Sequence, residues 1–344
     1  MGLNKRLIDQ AGGAAGVTNT DNFDIVTYTG NGSTQSISSL DFQPDFIWIK
    51  NRSTSSNHIL QNTVSGINHP QYSDATYLSY ADSVFGHVNS VQSNGFEVDE
   101  GNSGEANANK SNSNYVAWCW KGGGTAVSNT DGSITSSVSA NQDAGFSIVK
   151  YTGGGTSNYT VGHGLSSAPE LIIVKNRDQT DGWLAWTTVI DGTSDYLFLN
   201  STGAKGNSGQ SLPTSTVVEV QSDGGGESNT LNEDYIMYCF HSVDGYQKIG
   251  SYTGNASSIN TISVGFAPRF VMFKRTDSSG GWRMFDSTRG TDKSIQAQDS
   301  GAEYDDTQNY VDFTSDGFEF NRTVTQTNAD LNSTSGTYIY LAIA

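Results

Sequence analysis

VTYTGNGSTQSISSLDFQPDFIWIK (26–50), VKYTGGGTSNYTVGHGLSSAPELIIVK (149–175) and GSYTGNASSINTISVGFAPRFVMFK (250–274) are three versions of one passage. Each carries Tyr-Thr-Gly near its start, at Tyr28, Tyr151 and Tyr252, and sets a proline (Pro44, Pro169, Pro268) six residues before its final lysine. Outward from these, His58, Trp183 and Trp282 stand eight residues after Lys50, Lys175 and Lys274, and Gly66, Gly192 and Gly290 follow in the same order. The units close on YVAWCW (Tyr115 to Trp120), YIMYCF (Tyr235 to Phe240) and YIYLAI (Tyr338 to Ile343). Landmarks kept in one order through three copies define an internal repeat.

The unit reads as strands. Tyr-Thr-Gly-Asn-Gly is a strand end running into a turn, with glycine expected to supply positive φ. The proline suits a strand's first position, where its missing N–H leaves no ladder bond unmade. Phe46, Trp48 and Lys50 then alternate with Ile47 and Ile49. Both faces are apolar up to the lysine, which predicts an interior strand emerging into solvent there. In the first closing strand Tyr115, Ala117 and Cys119 face one way, Val116, Trp118 and Trp120 the other. GFEV (Gly95 to Val98), VVEV (Val217 to Val220) and GFEF (Gly317 to Phe320) add short strands, and only Leu3 to Gln10 has helical spacing.

A unit of about 100 residues with about seven or eight strands has the size of one layered β body. The expected fold is all-β: three tandem β-sandwich, jelly-roll-like repeats at 21–121, 122–243 and 244–344, behind an N-terminal arm at 1–20. The stretch KGGGTAVSNTDGSITSSVSANQDAG is expected to be a partly ordered connector, because Ile134 and Val138 are spaced for an edge strand. The junction HSVDGYQKIG is short, which makes the second and third copies close neighbours. Three such bodies can also close into a pseudo-threefold unit within one chain.

Composition sets the boundaries of function. Among 344 residues 18 are basic and 35 acidic, for a net charge of −17, and a field of that sign disfavours nucleic acid. No run of about 18 apolar residues is present, so no membrane insertion by a helix is expected. Cys119, Cys239 and Ala342 fill one slot in the three copies, which marks a small core position rather than a disulfide or a thiolate metal site. The five histidines lack metal-ligand spacing. Glu97, Glu219 and Glu319 recur in the shared short strand and read as solvent-facing. Asp181 has Ser56 and Gly280 as counterparts, so a repeated catalytic acid is not indicated. Asp299, Glu303, Asp305 and Asp306 lack the spacing of a calcium loop and read as a solvated loop. The glycine-rich pieces precede no helix, and no Gly-x-Ser-x-Gly elbow occurs. No catalytic residue, cofactor or metal ligand is therefore assigned. Trp183 and Trp282 follow turn residues and are the candidate binding residues, with burial at the start of a core strand as the competing reading.

Three passages carry a family resemblance: the start MGLNKRLIDQAGG, the opening TYTGNG…FQPDFIWIK, and NYVAWCWKGGGTAVSNTDGSITSSVSANQDAGFSIVKYTG from Asn114 to Gly153. They make the chain similar, over essentially its whole length, to repeat-containing virion structural proteins of marine tailed phages, including cyanophages. The resemblance implies a non-enzymatic, surface-exposed virion component, tail fibre or tail-associated, made in the host cytoplasm and contributing to host attachment. It carries over no functional residues. A capsid decoration (knob) protein and a glycan-binding or glycan-degrading virion protein are the alternatives. Leu3, Lys5, Arg6, Leu7 and Ile8 form the candidate docking segment toward other virion proteins. A host-surface glycan or protein is the expected receptor, and a homo-oligomer, trimer or hexamer, the expected assembly.

Overall fold

Tyr28, Tyr151 and Tyr252 occupy matching surroundings. Each stacks on the tyrosine that opens its copy's closing strand (Tyr115, Tyr235, Tyr338), at 5.0, 5.1 and 4.8 Å. Each donates its hydroxyl to a carbonyl, of Ala108, Ser228 and Leu331, at 2.6 Å in all three copies. The turn that follows has the expected positive φ at Gly32 (72°) and Gly155 (83°), whereas Gly30, Gly153 and Gly254, next to the tyrosine pairs, are glycine for another reason. A Cβ there would stand 2.2, 2.0 and 2.1 Å from the carbonyl oxygens of Lys110, Thr230 and Ser333. Close approach of two backbones sets the requirement.

The computed structural model describes residues 21–79, 84–101, 107–155, 159–221, 228–256, 259–305, 311–320 and 329–344. Leu3, Lys5, Arg6, Leu7, Ile8 and Asp306 lie outside the described residues. The protein is all-β with several antiparallel sheets. The only helix among the described residues is Ala329–Asn332.

Four strands recur in each copy. The opening strands are Phe23–Thr29, Phe146–Thr152 and Gln247–Thr253. The lysine strands are Phe46–Asn51, Leu171–Asn176 and Phe270–Arg275, and the flanking strands Ile59–Asn62, Trp183–Thr187 and Trp282–Asp286. The closing strands are Asn114–Trp120, Asp234–Phe240 and Thr337–Ile343. In every copy the order across the sheet is opening, closing, lysine, flanking. The prolines sit two residues before the lysine strands rather than at their first position, in the bend that feeds them.

A fifth strand pairs with the flanking strand in the second and third copies, Asp195–Phe198 and Lys293–Gln296, whereas the first copy has a single bridge, Leu60 to Gln71. The connector is ordered as an edge, with Ser136–Asn141 on the second opening strand and Val127–Asn129 outside it. A smaller sheet accompanies each copy. Gln35–Ile37 and Val88–Gln92 flank Gly95–Val98 in the first, Tyr159–Gly162 pairs Val217–Val220 in the second, and Asn260–Ser263 and Val311–Phe313 flank Gly317–Phe320 in the third.

The alternation of the closing strands distributes the core. Tyr115, Ala117 and Cys119 pack with Val88, Phe96 and Val98 of the smaller sheet. The opposite set, Val116, Trp118 and Trp120, joins one central cluster with Ile236, Tyr238 and Phe240, and with Ile339, Leu341 and Ile343. Trp48, Ile173 and Met272, each two residues before its copy's lysine, meet around a void of about 10 Å³. The three copies thus share a core, and each large apolar side chain buried in it stabilises the fold by about 1.5–3 kcal/mol. The first opening strand starts opposite the end of its closing strand, Phe23 against Trp120, and the same holds for Phe146 with Phe240 and Gln247 with Ile343. Chain entry, both junctions and the last residue therefore lie at one end of the sheets, and the Tyr-Thr-Gly corners at the other.

Candidate functional site

The repeated positions meet across the seams between copies, and they do so cyclically. The ring N–H of Trp183 donates to the carbonyl of Tyr72 at 2.8 Å, and that of Trp282 to Phe198 at 2.9 Å. Nε2 of His58, in the equivalent position, lies 3.0 Å from the carbonyl of Gln296. The second copy thus reaches the first, the third reaches the second, and the first reaches the third. A backbone bond repeats the cycle: Ser79 N–H to Arg177 O at 2.9 Å, Lys205 to Thr276 at 2.8 Å, Glu303 to Arg52 at 3.1 Å.

This placement corrects the candidate role of Trp183 and Trp282. Their exposures are 0% and 1%, so neither ring offers a face to a ligand. An indole N–H can only donate, and a buried one needs an acceptor; the neighbouring copy's carbonyl provides it. His58 does the same work with a different ring. Trp48 Nε1 donates to His58 Nδ1 at 2.8 Å, so Nδ1 must be the bare nitrogen and Nε2 carries the hydrogen that meets Gln296. Burial, joined by the field of Lys50, holds the His58 pKa well below the usual histidine value and keeps this neutral form.

The lysines are a second correction. Lys50, Lys175 and Lys274 are fully buried instead of emerging into solvent. Each ammonium is capped by carbonyls: Lys50 by Asn51 (2.8 Å) and Ser300 (3.2 Å), Lys175 by Asn176 (2.6 Å) and Gln179 (3.1 Å). Lys274 meets Arg275 (2.6 Å), Gly203 (2.8 Å) and Thr202 (3.3 Å). Burial pulls Lys50 and Lys175 down to about 8, with Asp74 and Asp299 opposing it at the first and Asp181 at the second.

The acidic run is not simply a solvated loop. Glu303 receives both arms of Arg52, at 2.8 and 2.8 Å, and Nη1 of Arg289 at 2.9 Å. Burial alone would raise its carboxyl, but the hydrogen bond from Arg52 and the field of Arg289 outweigh it and hold the pKa low. Arg289 also binds Asp286 at 2.6 Å, and Asp286 accepts the Trp118 indole N–H at 3.0 Å. Asp305 is exposed, as expected. The remaining candidates keep structural places. Cys119, Cys239 and Ala342 are buried and the cysteines are free. Glu97, Glu219 and Glu319 stand opposite Ser36, Thr160 and Thr261 in the smaller sheets. Asp181 and Glu233 share the side-chain amide of Asn176, at 2.7 and 2.6 Å. Among the described residues no group of three or more His, Cys, Asp or Glu is placed to hold a metal ion.

A cavity of about 410 Å³ opens on the first copy, at the end away from the chain entry. Its floor comes from the turn after the lysine strand, Thr54 to Asn57, with Ser300 of the third copy beside it. Asn107 and Lys110 border it ahead of the closing strand, and Tyr72 and Tyr77 form an aromatic side. Ser56 donates to Asn107 Oδ1 at 2.5 Å, and the hydroxyls of Ser55 and Ser300 are 3.2 Å apart. Sequence reading missed this place because Tyr77 has no aromatic counterpart: the fifth residue after each seam carbonyl is Tyr77, Gly203 or Gly301. That asymmetry was the available signal.

Fold and seams define a class of protein, a triplicated antiparallel β chain closed cyclically on itself. The chain belongs to the family described as a domain of unknown function (DUF7483), whose model matches residues 18–344, through all three copies. No curated protein and no solved structure matches it.

Proposed function

We propose that the chain is a non-enzymatic virion structural protein, exposed on the particle and contributing to host attachment as a tail or tail-fibre component. In this reading each copy is a two-layer, jelly-roll-like β-sandwich, at 21–121, 122–243 and 244–344, and residues 1–20 are the docking arm toward other virion proteins. The protein is made in the host cytoplasm and resides in the virion, with a host-surface glycan or protein as receptor and a trimer or hexamer as its assembly. The observation that carries the reading is polarity of the body. The chain enters at one end of the sheets, and the cavity opens at the other. The resemblance to virion structural proteins agrees with it, as does the use of the repeated aromatic and lysine positions for internal closure rather than for a reacting centre. The capsid-decoration reading draws support from the cyclic closure, since a body with internal threefold character suits a threefold site. Labelled antibody on intact particles is expected to mark the tail. Head labelling would transfer the reading to decoration, and absence from particles would end both. Deleting residues 1–20 is expected to abolish incorporation while the purified protein stays folded.

A further inference from the structure

We propose that the cavity on the first copy is a saccharide site for a neutral pyranose segment, an inference that rests on the attachment reading above. Its volume, about 410 Å³, is that of a small-ligand pocket. Uncharged hydrogen-bonding side chains dominate the lining, and those of Thr54 and Asn57 have no hydrogen-bond partner among the described residues. They supply the mixed donors and acceptors that sugar hydroxyls require. Tyr77 is 52% exposed and meets Tyr72 at 76°, an edge contact that leaves a ring face for the apolar side of a pyranose. Lys110 is the one cation of the lining and forms no ion pair among the described residues.

A neutral sugar is favoured over an acidic one by charge. A single lysine faces a chain of net charge −17, which repels a polyanion before it arrives. Among the described residues the lining comes from the first copy, with Ser300 of the third beside it. In the other copies the corresponding segment is engaged by lysines: Lys274 takes the carbonyl of Gly203, and Lys50 that of Ser300. Lys175 turns instead to Gln179 in its own copy, and the segment carrying Tyr77 holds a side chain toward the cavity.

The test is an array carrying neutral hexose oligosaccharides and uronate-bearing oligosaccharides, probed with the full-length protein, Tyr77→Ala, Asn57→Ala and Trp282→Phe. Retention is expected on neutral members, at least ten-fold weaker for Tyr77→Ala, weaker for Asn57→Ala and unchanged for a folded Trp282→Phe. An array blank for neutral sugars, retention confined to uronates, or undiminished retention by Tyr77→Ala and Asn57→Ala would overturn the proposal. Antibody labelling of particles separates the two readings: labelled particles with a blank array remove the sugar site and leave the virion role standing.

Discussion

The seam between the first and third copies and the seam between the third and second use equivalent positions but different chemistry. At the third–second seam, Trp282 and Lys274 reach backbone carbonyls of Phe198, Thr202 and Gly203, and no ion pair between these copies occurs among the described residues. At the first–third seam, Arg52, Arg289, Asp286 and Glu303 form a buried charge network around the same backbone pattern. Chain connectivity accounts for the difference. The second and third copies are joined directly, as the second closing strand ends at Phe240 and the third opening strand begins at Gln247. Tethering gives that contact a high effective concentration. The first and third copies are separated along the chain by the whole second copy, so their contact has less help from tethering and gains more from specificity of its own. Charge pairs that are costly when mismatched provide it.

The comparison breaks most severely at Arg289. Its side chain is fully buried, and Arg289→Ala leaves Asp286 and Glu303 without their shared cation. We expect a loss of about 3–5 kcal/mol in urea unfolding. A loss under about 1 kcal/mol would show that the network does not hold the seam. His58→Phe against Trp282→Phe comes next. The histidine change orphans two groups, Trp48 Nε1 and Gln296 O, and the tryptophan change only Phe198 O. At about 1–3 kcal/mol per orphaned buried group, His58→Phe should cost roughly twice as much; equal costs would erase the distinction between the seams.

Proton linkage sharpens the contrast further. The folded pKa of His58 lies well below the ordinary value of 6.5, so below that pH the unfolded chain takes up a proton that the folded chain refuses. Its contribution is fully present above pH 6.5 and is lost as pH falls toward the folded value. Asp74, raised by burial to about 6, works in the opposite sense below that pH, so the difference between wild type and His58→Phe isolates the histidine. For Lys50 and Lys175 the folded pKa of about 8 lies below 10.5, and between those values the unfolded chain holds the extra proton. Their contribution therefore rises with pH across that window. Subtracting a Lys50→Met curve should remove part of the rise, and an unchanged slope would contradict a buried ammonium. The smallest effect is expected at Cys119→Ala and Cys239→Ala, about 1 kcal/mol each, because the third copy already keeps Ala342 in the same buried slot.

Much of the fold was legible in the residues because repetition and alternation report directly on strands and faces. Tyr115, Ala117 and Cys119 fell on one side and Val116, Trp118 and Trp120 on the other, as a period of two requires. The ordered edge built from the connector was legible through Val138, whereas Ile134 lies outside that strand and bridges Val161 of the smaller sheet. The lysines were misread because alternation gives the direction of a side chain without naming what covers it. Lys50 looked like a strand end meeting water, yet Ser300, 250 residues away, supplies the oxygen that replaces water. Trp183 and Trp282 do open buried strands, as the competing reading had it, but their acceptors could not be read from spacing, and Glu303 was left to solvent because neither Arg52 nor Arg289 is marked as its partner by spacing.

By itself, then, the sequence determined an all-β chain built from one thrice-repeated passage, its apolar faces and its small core slot at Cys119, Cys239 and Ala342. Tertiary structure decided that the copies share a central cluster and close in a cycle, which turned three lysines, two tryptophans and a histidine inward. The physical reason is range. Backbone geometry and side-chain periodicity act over a few residues, whereas the acceptor for a buried N–H is chosen by whichever carbonyl the packed copies bring opposite it.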